Sequence, residues 1–130
     1  MAGTYTDIIG IDAPSSARAG EAVPVEVSIR NKYPATVHVA AVAVYDTEGR
    51  FIDWMDSWIP AGEAHSFSGS FVMPDREVIV HAYSYFEAAG GDWNFDDEAE
   101  KAVSLAEVFA GTLSRKELEY DGARAGIPVS

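Results

Sequence analysis

The chain contains no cysteine among its 130 residues and few basic side chains. Without cysteine, neither disulfides nor a thiolate zinc site can stabilise the fold, and thiol catalysis is excluded. Nine Lys and Arg residues stand against 21 Asp and Glu, which gives a net charge of −12 at pH 7. Because nucleic acids are bound by clustered cations, this balance argues against a nucleic-acid partner, and the same repulsion disfavours an anionic membrane.

Long apolar runs are also missing, so no segment approaches the length of a transmembrane helix and we expect no membrane insertion. The start, Met1 to Tyr5, lacks the basic and apolar regions of a signal peptide. The sequence shows no serine elbow and no pair of histidines at metal-ligand spacing. We therefore expect synthesis without a recognisable signal peptide, no enzymatic activity, no cofactor and no bound metal.

The sequence does contain regular alternation of apolar and polar residues. Val23 to Ile29, Phe67 to Met73 and Val78 to Ala82 each place an apolar residue at every second position. A period of two is typical of a strand with one buried face. The residues predicted to fill the core are Val23, Val25, Val27, Ile29, Phe67, Phe71, Val78 and Val80.

Turn-forming residues separate these runs at regular intervals, which favours an all-β sandwich over an α/β fold. Further strands are predicted at Tyr5 to Ile11, Thr36 to Tyr45 and Trp93 to Leu105, with an irregular aromatic stretch at Arg50 to Trp58. Alternation is lost at Ala40-Ala41, which indicates burial on both faces or a bulge. The alternative to the last strand is a helix over Asp97 to Phe109, where apolar residues also recur at helical spacing.

Two segments combine a turn with a strand. Pro14 to Asn31 reads P-S-S-A-R-A-G-E-A-V-P-V-E-V-S-I-R-N, and Trp58 to Asp75 reads W-I-P-A-G-E-A-H-S-F-S-G-S-F-V-M-P-D. Both resemble immunoglobulin-like modules of the CARDB type, the cell-adhesion-related domains of bacteria and archaea. The resemblance covers about residues 7 to 105. It implies an Ig-like antiparallel β-sandwich of about seven strands and work as a scaffold or contact surface, and it brings no catalytic residue.

The chain continues past this sandwich, so we divide it into an Ig-like domain at 1–105 and a C-terminal extension at 106–130. Val108 to Tyr120 has too much apolar content for a linker and carries β-branched and aromatic residues at strand-like intervals. We expect this arm to pair with a neighbouring copy, although it could also fold back on its own sandwich. The predicted subunit-interface residues are Val108, Phe109, Leu113, Leu118, Tyr120 and Ile127.

The segment Arg115 to Val129 also resembles the opening strand of a following module in tandem-domain proteins of phage or microbial-surface type. The chain departs from that pattern because it stops where the next module should begin. The resemblance implies structural work in an assembly.

Acidic residues cluster at Asp92, Asp96, Asp97, Glu98 and Glu100. They could supply oxygen ligands for calcium, but the spacing of an EF-hand is absent. We expect solvated carboxylates at the mouth of a hairpin rather than a metal site. His38, His65 and His81 lie in or beside predicted strands, where single histidines are normally surface or rim residues.

Tryptophan marks the remaining candidate site. Trp54, Trp58 and Trp93, together with Tyr83, Tyr85 and Phe86, could form a platform on which a sugar stacks. Aromatic side chains also fill sandwich cores and subunit contacts. We expect the core or a subunit contact to be the main use of these rings, with Trp54, Trp58 and Trp93 as the possible ligand-stacking residues.

The predicted function is that of a non-enzymatic structural or assembly protein, a virion-surface or filament subunit that self-associates through its C-terminal arm. Its partners are then copies of itself or a larger protein assembly, and its location is a virion or an extracellular surface assembly. The alternative is a glycan- or cell-surface-binding accessory module of a larger secreted protein.

Overall fold

The computed structural model describes residues 3–46 and 49–106, and within these ranges it contains eight strands and no helix. The strands are β1 (Thr6–Asp12), β2 (Ser16–Ala17), β3 (Ala22–Asn31), β4 (Val37–Tyr45), β5 (Gly49–Ile59), β6 (Ala64–Val72), β7 (Val78–Glu87) and β8 (Trp93–Leu105).

Two sheets face each other across one core. The first has the strand order β1-β3-β6 and the second the order β2-β8-β7-β4-β5. The pairs are antiparallel except for the two-residue strand β2, which runs parallel to β8. The predicted Ig-like antiparallel sandwich is confirmed. The stretch Arg50 to Trp58, expected to be irregular, lies within the eleven-residue strand β5.

The core contains all eight residues that alternation predicted, and none of them is more than 6% exposed. Their side chains point from β3, β6 and β7 into the space between the sheets, where burial of each large apolar side chain contributes about 1.5–3 kcal/mol. The other strands of the five-stranded sheet complete the core with Val39, Ile52, Ile59 and Val103.

The helix considered for residues 97 to 109 is wrong over its described part, because β8 pairs with β7 from Trp93 to Val103. From Asp97 onward the strand alternates between the core and solvent, with Val103 fully buried. The backbone hydrogen bonds between β7 and β8 stabilise the strand, although the apolar residues of this segment also recur at helical spacing. Residues 107–130 of the predicted arm lie outside the described residues, and so do its six interface positions.

A bulge in β8 places two adjacent carboxylates against the opposite sheet. Ser84 pairs with Asp97 and Tyr85 pairs with Phe95, which leaves Asp96 as an extra residue on β8. An extra residue of this kind bends a strand and re-aims its side chains. Asp96 and Asp97 therefore both reach β1, which belongs to the other sheet.

Asp96 holds the chain leading into β1. Its Oδ1 accepts a hydrogen bond from the backbone N–H of Thr4 at 2.7 Å, and its Oδ2 accepts from the N–H groups of Tyr5 at 3.1 Å and Thr6 at 2.6 Å. The Thr6 hydroxyl donates to the same oxygen at 2.6 Å. One carboxylate thus satisfies three consecutive backbone donors.

Asp97 is only 3% exposed and extends this contact. Its Oδ2 accepts from the N–H of Ile8 at 2.9 Å, and its Oδ1 accepts from the N–H of Glu98 at 2.8 Å. The expectation of solvated carboxylates is therefore wrong for Asp96 and Asp97. Their spacing in the sequence gave no sign of the bulge that turns them toward β1.

We predict that Asp97→Ala lowers the free energy of unfolding by about 1.5–3 kcal/mol, the range for hydrogen bonds to a charged group. The substitution leaves the N–H of Ile8 without its acceptor. Asp92→Ala removes an exposed carboxylate of the β7–β8 turn and should change stability by less than about 0.5 kcal/mol. Urea denaturation of the three proteins measures both effects, and equal midpoints for Asp97→Ala and the parent would contradict the prediction.

Candidate ligand-binding site

The three tryptophans named from the sequence meet on the outer face of the five-stranded sheet. Trp58 lies opposite His38 in the β4–β5 register, and the two rings stack with centroids 4.2 Å apart and planes 9° apart. The Trp93 ring lies 4.8 Å from His38, and Trp54 meets Trp93 edge to face at 4.9 Å. The expected use of these tryptophans in the sandwich core is therefore wrong, and their use as a subunit contact stays a prediction.

Neighbouring strands extend this cluster. Trp54 lies 5.1 Å from Tyr85, which in turn lies 5.9 Å from Phe95, and Phe95 is 6.2 Å from Tyr83. We call the whole set the aromatic face. It consists of His38, Trp54, Trp58, Tyr83, Tyr85, Trp93 and Phe95.

Small residues of β4 lie beneath the aromatic face. Ala40 pairs with Tyr85, and Val42 pairs with Tyr83. Both Ala40 and Val42 are buried, although their neighbours Val39, Ala41 and Ala43 fill the core on the other side. This strand is buried on both faces, and its pairing with β5 also shifts between Ala41 and Ala43, so both explanations offered for the lost alternation hold.

Trp54 reaches the aromatic face through a second bulge. Ala41 pairs with Met55 and Ala43 with Ile52, so that Asp53 and Trp54 together oppose one residue of β4. Trp54 has a φ of 66°, a left-handed conformation that is a marked outlier for a bulky residue. Strain of this kind persists only where surrounding contacts maintain it, and it is common at ligand sites.

We predict that Trp54→Gly is more stable than Trp54→Ala by about 0.5–1 kcal/mol. Both variants lose the indole, but glycine removes a left-handed cost of about 1–2 kcal/mol while adding about 0.5–1 kcal/mol of backbone entropy. The matched pair Met55→Gly and Met55→Ala tests the next residue, where φ is not positive and alanine should be the more stable. Thermal melts rank the four variants. A lower melting temperature for Trp54→Gly than for Trp54→Ala would refute the assignment of strain.

His38 contacts the rings of Trp58 and Trp93 in the aromatic face, and its side chain is only 16% exposed. Its Nδ1 is 2.7 Å from a carboxylate oxygen of Glu87, and its Nε2 is 2.6 Å from one of Asp56. Burial lowers the pKa of His38, but the hydrogen bonds and charges of Glu87 and Asp56 outweigh it and raise the pKa above the ordinary 6.5. His38 is therefore not the surface or rim histidine that the sequence suggested.

The raised pKa predicts a pH-dependent contribution to stability. Because the folded state binds the proton more tightly than the unfolded chain, the contribution is full below pH 6.5 and is lost as pH rises through the folded value. The free energy of unfolding of the parent minus that of His38→Asn should therefore be larger at about pH 5.5 than at about pH 9. Denaturation of both proteins across this range measures the difference, and a difference independent of pH would contradict the prediction.

A cavity of about 410 Å³ adjoins the aromatic face at one end of the sandwich. Its lining residues are Tyr5, Tyr33, Thr36, Val37, His38, Trp58, Phe86, Glu87, Ala88 and Ala89. A second cavity of about 380 Å³, lined by residues that include Asp12, Pro24 and Gly69, contains no aromatic side chain. The first cavity therefore shares Trp58 and His38 with the candidate site, and the second shares nothing with it.

The other candidates from the sequence lie elsewhere or serve the fold. His65 is exposed, and His81 lies 3.3 Å from Glu100. Among residues 3–46 and 49–106, no group of three or more His, Asp and Glu side chains is placed to hold a metal ion. No pattern in the sequence indicates the contact of His38 with Glu87, because 49 positions separate them and only the pairing of strands brings them together.

The geometry defines an Ig-like β-sandwich with an aromatic site on one sheet. The fold is similar to the CARDB domain of the PF1109 protein from Pyrococcus furiosus, solved in complex with di-metal ions. The identity is 11%, the TM-score is 0.59, and the match covers 82% of this chain and 93% of that one. The predicted CARDB-type resemblance is thus confirmed at the level of the fold.

Two further structures share this fold. One is a chain of the complex of zinc 2-glycoprotein and prolactin inducible protein from human seminal plasma, with 15% identity, a TM-score of 0.60 and coverage of 79% and 98%. The other is the C-terminal domain of wzt, with 14% identity, a TM-score of 0.50 and coverage of 93% and 86%. No family model and no curated protein matches the sequence. In the part of the chain that the structure describes, no helix is long and apolar enough to cross a membrane.

Proposed function

We propose that this protein is a non-enzymatic binding module whose aromatic face binds a neutral oligosaccharide. The observation that carries the proposal is the cluster of three tryptophans on the side of the sheet that faces away from the core, in which Trp58 and Trp93 contact His38 and Trp54 contacts Trp93. Trp58 is 64% exposed and Phe95 is 51% exposed, although both rings could have been buried between the sheets. Solvent-facing rings of this size favour a ligand or partner.

The chemistry of the face fits a sugar. The C–H groups on one side of a pyranose ring form an apolar surface that packs on an indole or phenyl ring. The hydroxyl groups at the rim of the sugar then need hydrogen-bond acceptors, which Asp56 and the exposed Glu98 supply. A few placed polar groups around an apolar surface are the usual composition of a ligand site.

The size and the charge of the aromatic face indicate which class of sugar it binds. The face crosses the four strands from β8 to β5. The three spacings between these strands add up to roughly 14 Å, which exceeds the width of one sugar ring. The chain carries a net charge of −12, and the carboxylates of Asp56 and Glu87 lie within the site. Uronic, sulfated or phosphorylated glycans would be repelled, so we infer a neutral oligosaccharide.

Affinity electrophoresis in gels containing neutral polysaccharides such as xylan, mannan or dextran tests the proposal, with polygalacturonate as the acidic comparison. We expect a neutral polysaccharide to retard the protein. Phe95→Ala should weaken binding about tenfold or more, equivalent to about 1.4 kcal/mol. The control Val72→Ala removes an exposed apolar side chain from β6 of the other sheet and should bind as the parent does.

Absence of retardation in every neutral gel would refute the glycan proposal. Equal loss of binding in Phe95→Ala and Val72→Ala would refute its location on the aromatic face. The assembly role predicted from the sequence, a virion-surface or filament subunit joined through Val108 to Tyr120, stays a prediction because that arm lies outside the described residues.

A further inference from the structure

The cavity beside the aromatic face is formed by four segments that are far apart in the sequence, one of which is β5 with Trp58. Tyr5 precedes β1, Tyr33 and Thr36 belong to the β3–β4 connection, and Phe86 and Glu87 end β7. The volume of about 410 Å³ falls within the range of about 300–1,000 Å³ that is typical of small-molecule pockets. The cavity therefore has room for a compact ligand apart from the open surface proposed to bind sugar.

Four aromatic rings line the cavity, those of Tyr5, Tyr33, Trp58 and Phe86. Tyr5 packs edge to face on Tyr33 at 4.9 Å and at a tilt on Phe86 at 4.4 Å. Trp58 closes another side, held in place by its stack on His38. The faces of aromatic rings carry negative electrostatic potential and attract cations within about 6 Å of the ring centroid.

The polar groups of the cavity add negative charge. Glu87 lines it and is partly exposed, and Asp56 lies on the far side of the His38 ring. None of the lining residues is Lys or Arg. Lys32, next to Tyr33 in the chain, forms an ion pair with Asp7 at 3.2 Å.

We propose that this cavity binds a small organic cation, with a methylated ammonium head group against the rings of Tyr5, Tyr33, Phe86 and Trp58 and beside the carboxylate of Glu87. Aromatic walls with an adjacent carboxylate suit such a group, because a methylated ammonium loses little hydration on entering an apolar site. An anionic ligand would be repelled by Glu87 and Asp56, and a neutral one would gain no electrostatic attraction from them. The inference adds a second ligand to the proposed glycan module and does not depend on the first.

His38 makes the binding depend on pH. With a neutral imidazole, Asp56 and Glu87 give the cluster two negative charges, and protonation of His38 cancels one of them. Glu87 of β7 and Asp56 of β5 are the charged groups that contact the ring, and Trp58 and Trp93 cover its faces. Cation binding should therefore weaken as the pH falls and His38 becomes protonated.

Titration calorimetry with choline tests the site. The comparison ligand is its uncharged carbon isostere, in which a tert-butyl group replaces trimethylammonium. At about 0.15 M salt, where the Debye length is about 8 Å, distant charges of the protein contribute little. We expect choline to bind about tenfold or more tightly than the isostere, and more tightly at about pH 8.5 than at about pH 5.5.

Two variants that each remove one negative charge test the location of the site. Glu87→Gln should weaken choline binding about tenfold or more. Glu98 is an exposed residue of β8 outside the cavity lining, so Glu98→Gln should leave the affinity for choline within about twofold of the parent. A Tyr33→Ala variant provides a second wall substitution if Glu87→Gln fails to fold. Loss of choline binding in Tyr33→Ala or Glu87→Gln with retention in Glu98→Gln supports the proposal.

Equal affinity for choline and its isostere would overturn the proposal, since the cavity would then recognise shape alone. No binding of choline, or equal weakening by Glu87→Gln and Glu98→Gln, would overturn it as well. These outcomes are separate from failure of the glycan proposal, because polysaccharide binding is measured by affinity electrophoresis and depends on Phe95. A protein that binds xylan but not choline keeps the aromatic face and loses the cation site.

Discussion

The carboxylates of Asp96 and Asp97 tie the amino-terminal strand to the opposite sheet, and one wall of the cavity beside the aromatic face depends on this contact. Asp96 accepts hydrogen bonds from the N–H groups of Thr4, Tyr5 and Thr6, so it fixes the backbone that carries the Tyr5 ring into the cavity. Asp97 accepts from the N–H of Ile8 on β1 and joins the same strand to β8. Because these donors would otherwise be partly buried without partners, the two acids stabilise the fold and position one wall of the cavity.

Bulges on either side of the five-stranded sheet place functional side chains where a regular strand could not. One bulge turns Asp96 toward β1, and the other carries Trp54 onto the aromatic face in a left-handed backbone conformation. Small residues of β4, Ala40 and Val42, are covered by the larger side chains of this face. The outer side of the sheet is thus packed almost like a core, while its outermost rings remain exposed to solvent.

The aromatic face and the cavity differ in the placement of their charges, so each suits a different ligand. The open aromatic face offers rings with carboxylates at intervals, an arrangement that suits neutral sugars with hydroxyl donors. The cavity next to it encloses rings beside Glu87, which suits a compact cation. His38 contacts both regions through Trp58 and Glu87, so its protonation state adjusts the charge at their boundary. One histidine therefore relates the pH dependence of stability to that of ligand binding.

The sequence by itself determined the sandwich and its core, because alternation at Val23 to Ile29, Phe67 to Phe71 and Val78 to Val80 depends only on local chain geometry. It also named Trp54, Trp58 and Trp93 as candidates for one site. Only the tertiary structure decided that these rings lie outside the core in one cluster with His38, that Asp96 and Asp97 hold β1, and that the end of β8 is not helical. The physical reason is that each of these features depends on strand register and bulges, which pair residues far apart in the chain and leave no periodic signal in the sequence.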